Sequence, residues 1–123
     1  MFAFKRNEEI TEGNYDVKID SAEVVRYPKS DALKIHVRNQ FGASRTFLLF
    51  ANNTMLIEKL LEATSLESTD GSFDENSLVG RYVSIDTQMD KGYLNIYNFT
   101  ASEPWEISEQ RIYQPEDLEE IEI

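Results

Sequence analysis

The order of hydrophobic periodicities along this chain is the feature that most narrows its fold. Apolar and polar side chains alternate over three successive segments, which predicts three β-strands. A stripe of apolar residues at helical spacing follows, and two more alternating segments come after it. The sequence therefore predicts three strands, one helix and two strands. Its 123 residues suffice for one domain around one core.

Turn residues separate these segments. Pro28 begins a turn after the first strand, and Phe41-Gly42 is predicted to be the two-residue turn of a hairpin. A change of phase over 21–25 predicts a bulge in a long first strand, and Asn52-Asn53-Thr54 offers capping side chains for a helix of about three turns. The predicted strands cover residues 15–27, 33–38, 44–50, 81–89 and 93–101, and the loop after the helix covers 65–76.

This order of elements is that of an OB-fold, a small five-stranded Greek-key barrel with a helix between strands three and four. A curved first strand shared by both halves of the barrel fits that closure. An open sheet with the helix packed on one face is the alternative. We expect residues 1–102 to form this domain and residues 103–123, with Pro104 and Pro115 among acids, to form an acidic, partly disordered tail.

Several classes of function have no support in the sequence. The chain has no cysteine and one histidine, so it lacks the residues for thiolate or multi-histidine metal sites. No phosphate-binding glycine motif or nucleophile motif is present, so we predict neither an enzyme nor a cofactor. No apolar run approaches the roughly 20 residues that span a bilayer, and the N-terminus does not resemble a signal peptide. We therefore expect a cytoplasmic protein without membrane partners.

Charge is distributed unevenly along the chain. The net charge is -11, which by itself argues against a polyanionic partner. Residues 24–50, however, carry five basic side chains and one acid, whereas residues 103–123 carry eight acids and one arginine. The acidic excess therefore lies largely in the tail, and a basic surface is predicted on the second and third strands.

A two-residue turn would place Arg38 opposite Arg45 and His36 opposite Phe47 on one surface of the hairpin. Two facing arginines repel unless an anion or a carboxylate neutralises them, and a phosphate backbone would do so. The faces of strands two and three are also where OB-folds bind oligonucleotides, and exposed aromatic rings would stack on bases. The predicted nucleic-acid-binding residues are Lys34, His36, Arg38, Arg45, Phe47, Lys91, Tyr93 and Tyr97.

The acidic tail has a second predicted role. Its last residues place Leu118, Ile121 and Ile123 among acids, a pattern suited to docking in an apolar groove of a basic partner protein. Trp105, beside Pro104, is expected to anchor the start of the tail on the domain.

Six short segments carry a resemblance to a known family: 12–19, 33–35, 47–50, 60–64, 78–81 and 92–96. In these landmarks the chain resembles the small single-stranded DNA-binding proteins encoded in phage replication modules. The resemblance implies an OB-fold, sequence-tolerant binding to single strands and frequent self-association into homo-oligomers. Bacterial single-strand binders also end in acidic tips that recruit replication proteins. This tail is similar in kind, although it ends Ile121-Glu122-Ile123 instead of a proline followed by a terminal phenylalanine.

Two functions from different classes remain open at this point. The first is a single-stranded DNA-binding protein that protects DNA during phage or mobile-element replication or recombination and recruits partner proteins through its tail. The second is an acidic DNA mimic or interaction module that occupies a partner's nucleic-acid site, for which the net charge of -11 is the argument. The concentration of acids in the tail favours the first.

Ending the chain after Tyr113 tests whether the domain binds DNA and the tail binds partner proteins. The change removes five acids and the three apolar anchors. Affinity for single-stranded DNA should hold or rise, most visibly at low salt where charges are least screened. Co-purification of replication or recombination proteins should be lost. A folded truncation that loses DNA affinity would place the tail in the DNA site instead.

Overall fold

The computed structural model describes residues 9–105 of the chain. It is mostly β, with five antiparallel strands and one α-helix in the predicted order. A 3-10 helix, Glu75–Leu78, ends the segment predicted as a loop. The elements are β1 (Gly13–Arg26), β2 (Asp31–Asn39), β3 (Ser44–Phe50), α1 (Thr54–Thr64), β4 (Tyr82–Asp90) and β5 (Tyr93–Ala101).

The strands form one open sheet in the order β3-β2-β1-β4-β5. The long β1 joins the two halves, because residues 13–18 pair with β4 and residues 17–26 pair with β2. Its register shifts between Ile19 and Ser21, at the start of the region where the sequence predicted a bulge. Among residues 9–105 no further strand pairs with the outer edges of β3 and β5, and the edge of β3 carries only an isolated bridge from Glu9 to Ser44.

A single hydrophobic core lies on one face of this sheet. All five strands contribute to it, so the sheet must curl around the core. Ile10, ahead of β1, and Leu78, in the 3-10 helix, are completely buried at its margins. Helix α1 packs mainly against β5 and adds Leu56 and Leu60. The strand residues of the core are Val17, Ile19, Leu33, Ile35, Val37, Phe47, Leu49, Val83, Ile85, Leu94, Ile96 and Phe99.

The turn between β2 and β3 differs from the prediction. It is a three-residue loop, Gln40 to Gly42, closed by a bond from the Asn39 N–H to the Ala43 carbonyl at 2.8 Å. The Asn39 side chain accepts hydrogen bonds from the N–H groups of Phe41 and Ala43, and Gly42 has a φ of 91°. A glycine at positive φ after a type I turn is typical of three-residue hairpin loops. The prediction of a two-residue turn at Phe41-Gly42 is therefore wrong.

One extra loop residue moves β3 by one position against β2 and exchanges the faces of its side chains. Phe47 pairs with Ile35 and is only 4% exposed, so its predicted place on the outer surface was wrong. Arg45 pairs with Val37, and Arg38 pairs with Ser44, so the two arginines do not face each other. In place of Phe47, Leu48 and Phe50 are exposed.

A second change of phase occurs in β5. The register shifts between Asp86 and Thr87, where Asn98 pairs with Asp86 but Ile96 pairs with Thr87. Tyr97 is the extra residue, and a bulge of this kind reverses the alternation beyond it. Tyr93 and Tyr97 are therefore exposed while Phe99 is buried, whereas uninterrupted alternation would place all three on one face.

Helix α1 begins without a side-chain cap. Asn53 occupies the N-cap position, as its sequence predicted, but its side chain makes no capping hydrogen bond. At the other end Ser65 adopts a left-handed conformation and its N–H bonds to the last turn of the helix. Within residues 9–105, no helix is long and apolar enough to cross a membrane.

The corrected register predicts very different losses of stability for two adjacent residues of β3. Phe47→Ala should destabilise the protein by about 3–5 kcal/mol, because it opens a cavity in the core. Leu48→Ala, at a residue 39% exposed, should cost much less. Urea unfolding of the two variants measures the difference, and a larger loss at Leu48 would contradict the register.

Candidate nucleic-acid interface

A groove runs between the free edges of β3 and β5. It consists of two adjoining hollows, of about 540 and about 580 Å³, which share Leu48, Phe50, Asp90 and Asn95. We call this surface the β3–β5 groove. One bank is β3 and the turn into α1, and the other is the hairpin of β4 and β5.

One end of the β3–β5 groove is cationic. Arg45, Lys91 and Tyr93 line it together. Lys91 and Gly92 have φ angles of 52° and 84°, the two positive values that a tight type I′ hairpin turn requires. That turn presents the exposed Lys91 beside the groove. Arg45 is held at its place by Glu9, at 3.4 Å from guanidinium nitrogen to carboxylate oxygen.

Aromatic rings stand along both banks. Tyr93 and Tyr97 of β5 are 74% and 57% exposed, which is unusual for large rings in a strand. Phe50, on the opposite bank, is 42% exposed and lies 5.9 Å from the ring of Tyr27, centroid to centroid. The groove therefore offers several ring faces to a ligand.

The outer face of β2 adjoins this groove through β3. Lys34 pairs with Leu48 across the strands, and His36 pairs with Thr46, whose hydroxyl lies 2.8 Å from the His36 Nδ1. Leu48 and Thr46 also line the groove. Lys34 has a carboxylate partner, Glu23, at 3.5 Å, but both side chains are well exposed. Such a surface pair is worth only about 0–1 kcal/mol, so a phosphate can compete for the lysine.

Arg38 belongs to a different cluster. Its Nε lies 3.0 Å from the Asp20 carboxylate, and its guanidinium carbon lies 5.6 Å from the centre of the Trp105 ring. Trp105 also meets the Tyr82 ring edge to face at 5.4 Å. These contacts fix Trp105 on the sheet, as predicted for the start of the tail. Arg38 is not among the residues that line the β3–β5 groove.

A carboxylate on β4 is held by two amides. The side-chain Nδ2 groups of Asn14 and Asn98 donate hydrogen bonds to Asp86 at 2.8 and 3.0 Å. These two bonds, that of Asn14 most, lower the pKa of the Asp86 carboxyl from its usual value, against a smaller opposing effect of burial. Asn14 also donates to the Ser84 hydroxyl at 3.0 Å. The network joins β1, β4 and β5 and has a structural role.

The structure brings half of the predicted binding residues together. Arg45, Lys91, Tyr93 and Tyr97 line the groove, and Lys34 and His36 lie on the adjoining face of β2. Arg38 lies apart, and Phe47 reaches the groove only as part of its buried floor.

The groove also contains residues that the sequence analysis did not select. They are the exposed apolar residues of β3 and the amide residues Asn52, Asn53, Gln88 and Asn95. The sequence did contain a signal for the exposed residues of β3. Asn39 followed by Gly42 marks a three-residue loop, and that loop turns Leu48 and Phe50 outward. The predicted partner-binding residues of the tail, Leu118, Ile121 and Ile123, lie outside the described residues.

Comparison with models of known protein families and with curated proteins finds no match to this chain.

The Asp86 network predicts a pH-dependent loss of stability. Because folding lowers the pKa of Asp86, the ionised carboxylate stabilises the fold above about pH 3.8, and this contribution disappears as pH falls through the lowered value. Asp86→Asn should therefore unfold at lower urea than the unmodified protein at pH 7, with the gap narrowing in strong acid. A gap that stays constant with pH would contradict a role for the ionised carboxylate.

Proposed function

We propose that this chain is a non-enzymatic, single-stranded DNA-binding protein of the OB-fold type, and that the β3–β5 groove is its binding site. The observation that carries the proposal is the combination in this groove of exposed aromatic rings with Arg45 and Lys91. A groove of positive charge lined by aromatic rings is the usual solution for binding single strands.

The strand order supports the OB-fold part of the proposal. In the order β3-β2-β1-β4-β5, the two terminal strands are the ones that would meet if the curled sheet closed. Closure at that seam gives a five-stranded barrel with the helix between strands three and four, and OB-folds are often partly open. Their oligonucleotide site uses strands two and three and the loop between strands four and five, the elements that supply Lys34, Arg45 and Lys91 here.

The groove chemistry favours single strands over duplex. Unpaired bases can lay their faces on Tyr93, Tyr97 and Phe50, at about 1–3 kcal/mol per stacked base, whereas paired bases keep their faces inside the helix. Arg45, Lys91 and Lys34 then contact the phosphates, releasing condensed counterions. Both interactions are available with any sequence.

The resemblance to phage single-strand binders supports the cellular role that we propose. The protein would protect single-stranded DNA during phage or mobile-element replication or recombination, with Leu118, Ile121 and Ile123 as anchors for partner proteins. Self-association into a homo-oligomer would align several grooves on one DNA strand.

Aromatic variants test the stacking contribution. Tyr93→Ala and Tyr97→Ala should each weaken binding to a fluorescent single-stranded oligonucleotide by about 1–3 kcal/mol. Phe41→Ala is the matched control, because Phe41 is 80% exposed but lies outside the groove. Equal losses in all three variants, or equal affinity of the unmodified protein for duplex, would contradict the stacking mechanism.

The salt dependence of binding tests the phosphate contacts. Lys91→Gln should flatten the plot of log affinity against log salt by about 0.7, because the variant neutralises one phosphate fewer on the single strand. Lys59→Gln on helix α1 removes the same charge away from the groove and should leave the slope unchanged. An unchanged slope in Lys91→Gln would move the site elsewhere. Complete failure to bind single strands would favour the DNA-mimic alternative.

A further inference from the structure

The two ends of the β3–β5 groove differ in chemistry. Its cationic end holds Arg45 and Lys91, whereas among residues 9–105 no lysine or arginine lines the hollow next to α1. The hollow next to α1 is lined instead by the carboxylate of Asp90 and by carboxamides from both banks. These are Asn52 and Asn53 on the side of β3 and Gln88 and Asn95 on the hairpin.

Asp90 is well placed to accept hydrogen bonds from a ligand. It ends β4, directly opposite Tyr93 on β5, and it lines both hollows. Its side chain is exposed, and within residues 9–105 no cation lies close enough to form an ion pair with it. Because Asp90 is shared by both hollows, a base stacked on Tyr93 at the cationic end can turn its edge toward the hollow next to α1, where Asp90 is an acceptor that only a hydrogen-bond donor can satisfy.

The surrounding amides complete this arrangement. Gln88 and Asn95 are cross-strand partners on the hairpin, and Asn53 keeps its amide free of the helix cap that its position would allow. Carboxamides both donate and accept, so they can meet a base edge that carries both kinds of group. The end of the groove without cations is thus suited to base edges, and the cationic end to phosphates.

We propose that this end of the groove selects bases with an exocyclic amino group, so that the protein binds cytosine-rich single strands in preference to thymine-rich ones. The inference rests on the proposed function and adds a base preference to it. The N4 amino group of cytosine donates to a carboxylate such as Asp90, whereas thymine presents the O4 acceptor at the same position and is repelled. In single strands these base edges are open to such contacts.

Cytosine and thymine make the sharpest comparison. Both are single-ring bases in flexible strands, so differences in stacking between neighbouring bases are small compared with those of purines. Stacking and phosphate contacts alone leave the two nearly equal, because neither depends on the hydrogen-bonding edge. A preference between them therefore reports on the polar groups of the groove.

The experiment measures the affinity of the full chain for oligo(dC) and oligo(dT) of equal length, about 12 nucleotides, at mildly alkaline pH where cytosine is unprotonated. We expect oligo(dC) to bind about tenfold more tightly, the size of effect that one hydrogen bond to a charged group provides. Asp90→Asn should bring the ratio of the two affinities close to one.

Asp70→Asn is the matched control. Asp70 lies in the loop after α1, outside the groove, and its left-handed conformation suits asparagine. It removes the same charge, so it should change both affinities equally and leave their ratio as in the unmodified protein.

The outcomes separate the two proposals. Binding to both oligonucleotides with equal affinity, or with a preference for thymine, would overturn the base preference and leave the single-strand function standing. A preference for cytosine that persists in Asp90→Asn would also overturn the role of Asp90. Failure to bind either oligonucleotide would overturn the proposed function itself.

Discussion

The three-residue turn between β2 and β3 determines which side chains of β3 reach solvent. Asn39 accepts two backbone N–H groups through its side chain, and Gly42 supplies the positive φ that closes the loop. The resulting register turns Phe47 toward Ile35 in the core and leaves Leu48 exposed. A loop one residue shorter would exchange these faces, because side chains alternate along a strand. Both the core and the lining of the β3–β5 groove thus depend on this turn.

The groove lies between the outer edges of β3 and β5, and exposed strand edges of this kind commonly pair with strands of other chains. Here they face each other across a gap, with β1 and its bulge curling the sheet so that all five strands share one core. Exposed rings of Tyr93 and Tyr97 next to unpaired backbone would be a liability in a protein without a ligand for this site. In our proposal the single strand covers these rings when it binds.

Hydrophobic periodicity was sufficient to predict the order of elements and the limits of β3 and β5, because long alternating segments are a strong local signal. It failed where one residue changes the phase. The extra turn residue at Gln40–Gly42 reversed the predicted face of Phe47. The bulge at Tyr97 reversed the face that uninterrupted alternation would give Phe99. The pairing of Arg38 with Asp20 and Trp105 was equally out of reach, since it joins residues far apart in sequence. Lys91, Tyr93 and Tyr97 are exposed, and their exposure is within reach of the sequence because it depends on a tight turn and on strand alternation, which are local properties.

We propose that a single strand binds between β3 and β5. Backbone amide shifts of the isotopically labelled full chain, followed by NMR as a single-stranded oligonucleotide is added, test this claim directly. We predict that the largest shifts occur at Thr46, Leu48, Lys91, Tyr93 and Asn95, with little change in the exposed turns of the loop after α1. Saturable shifts confined to that loop and α1, with the groove amides unmoved, would contradict the account.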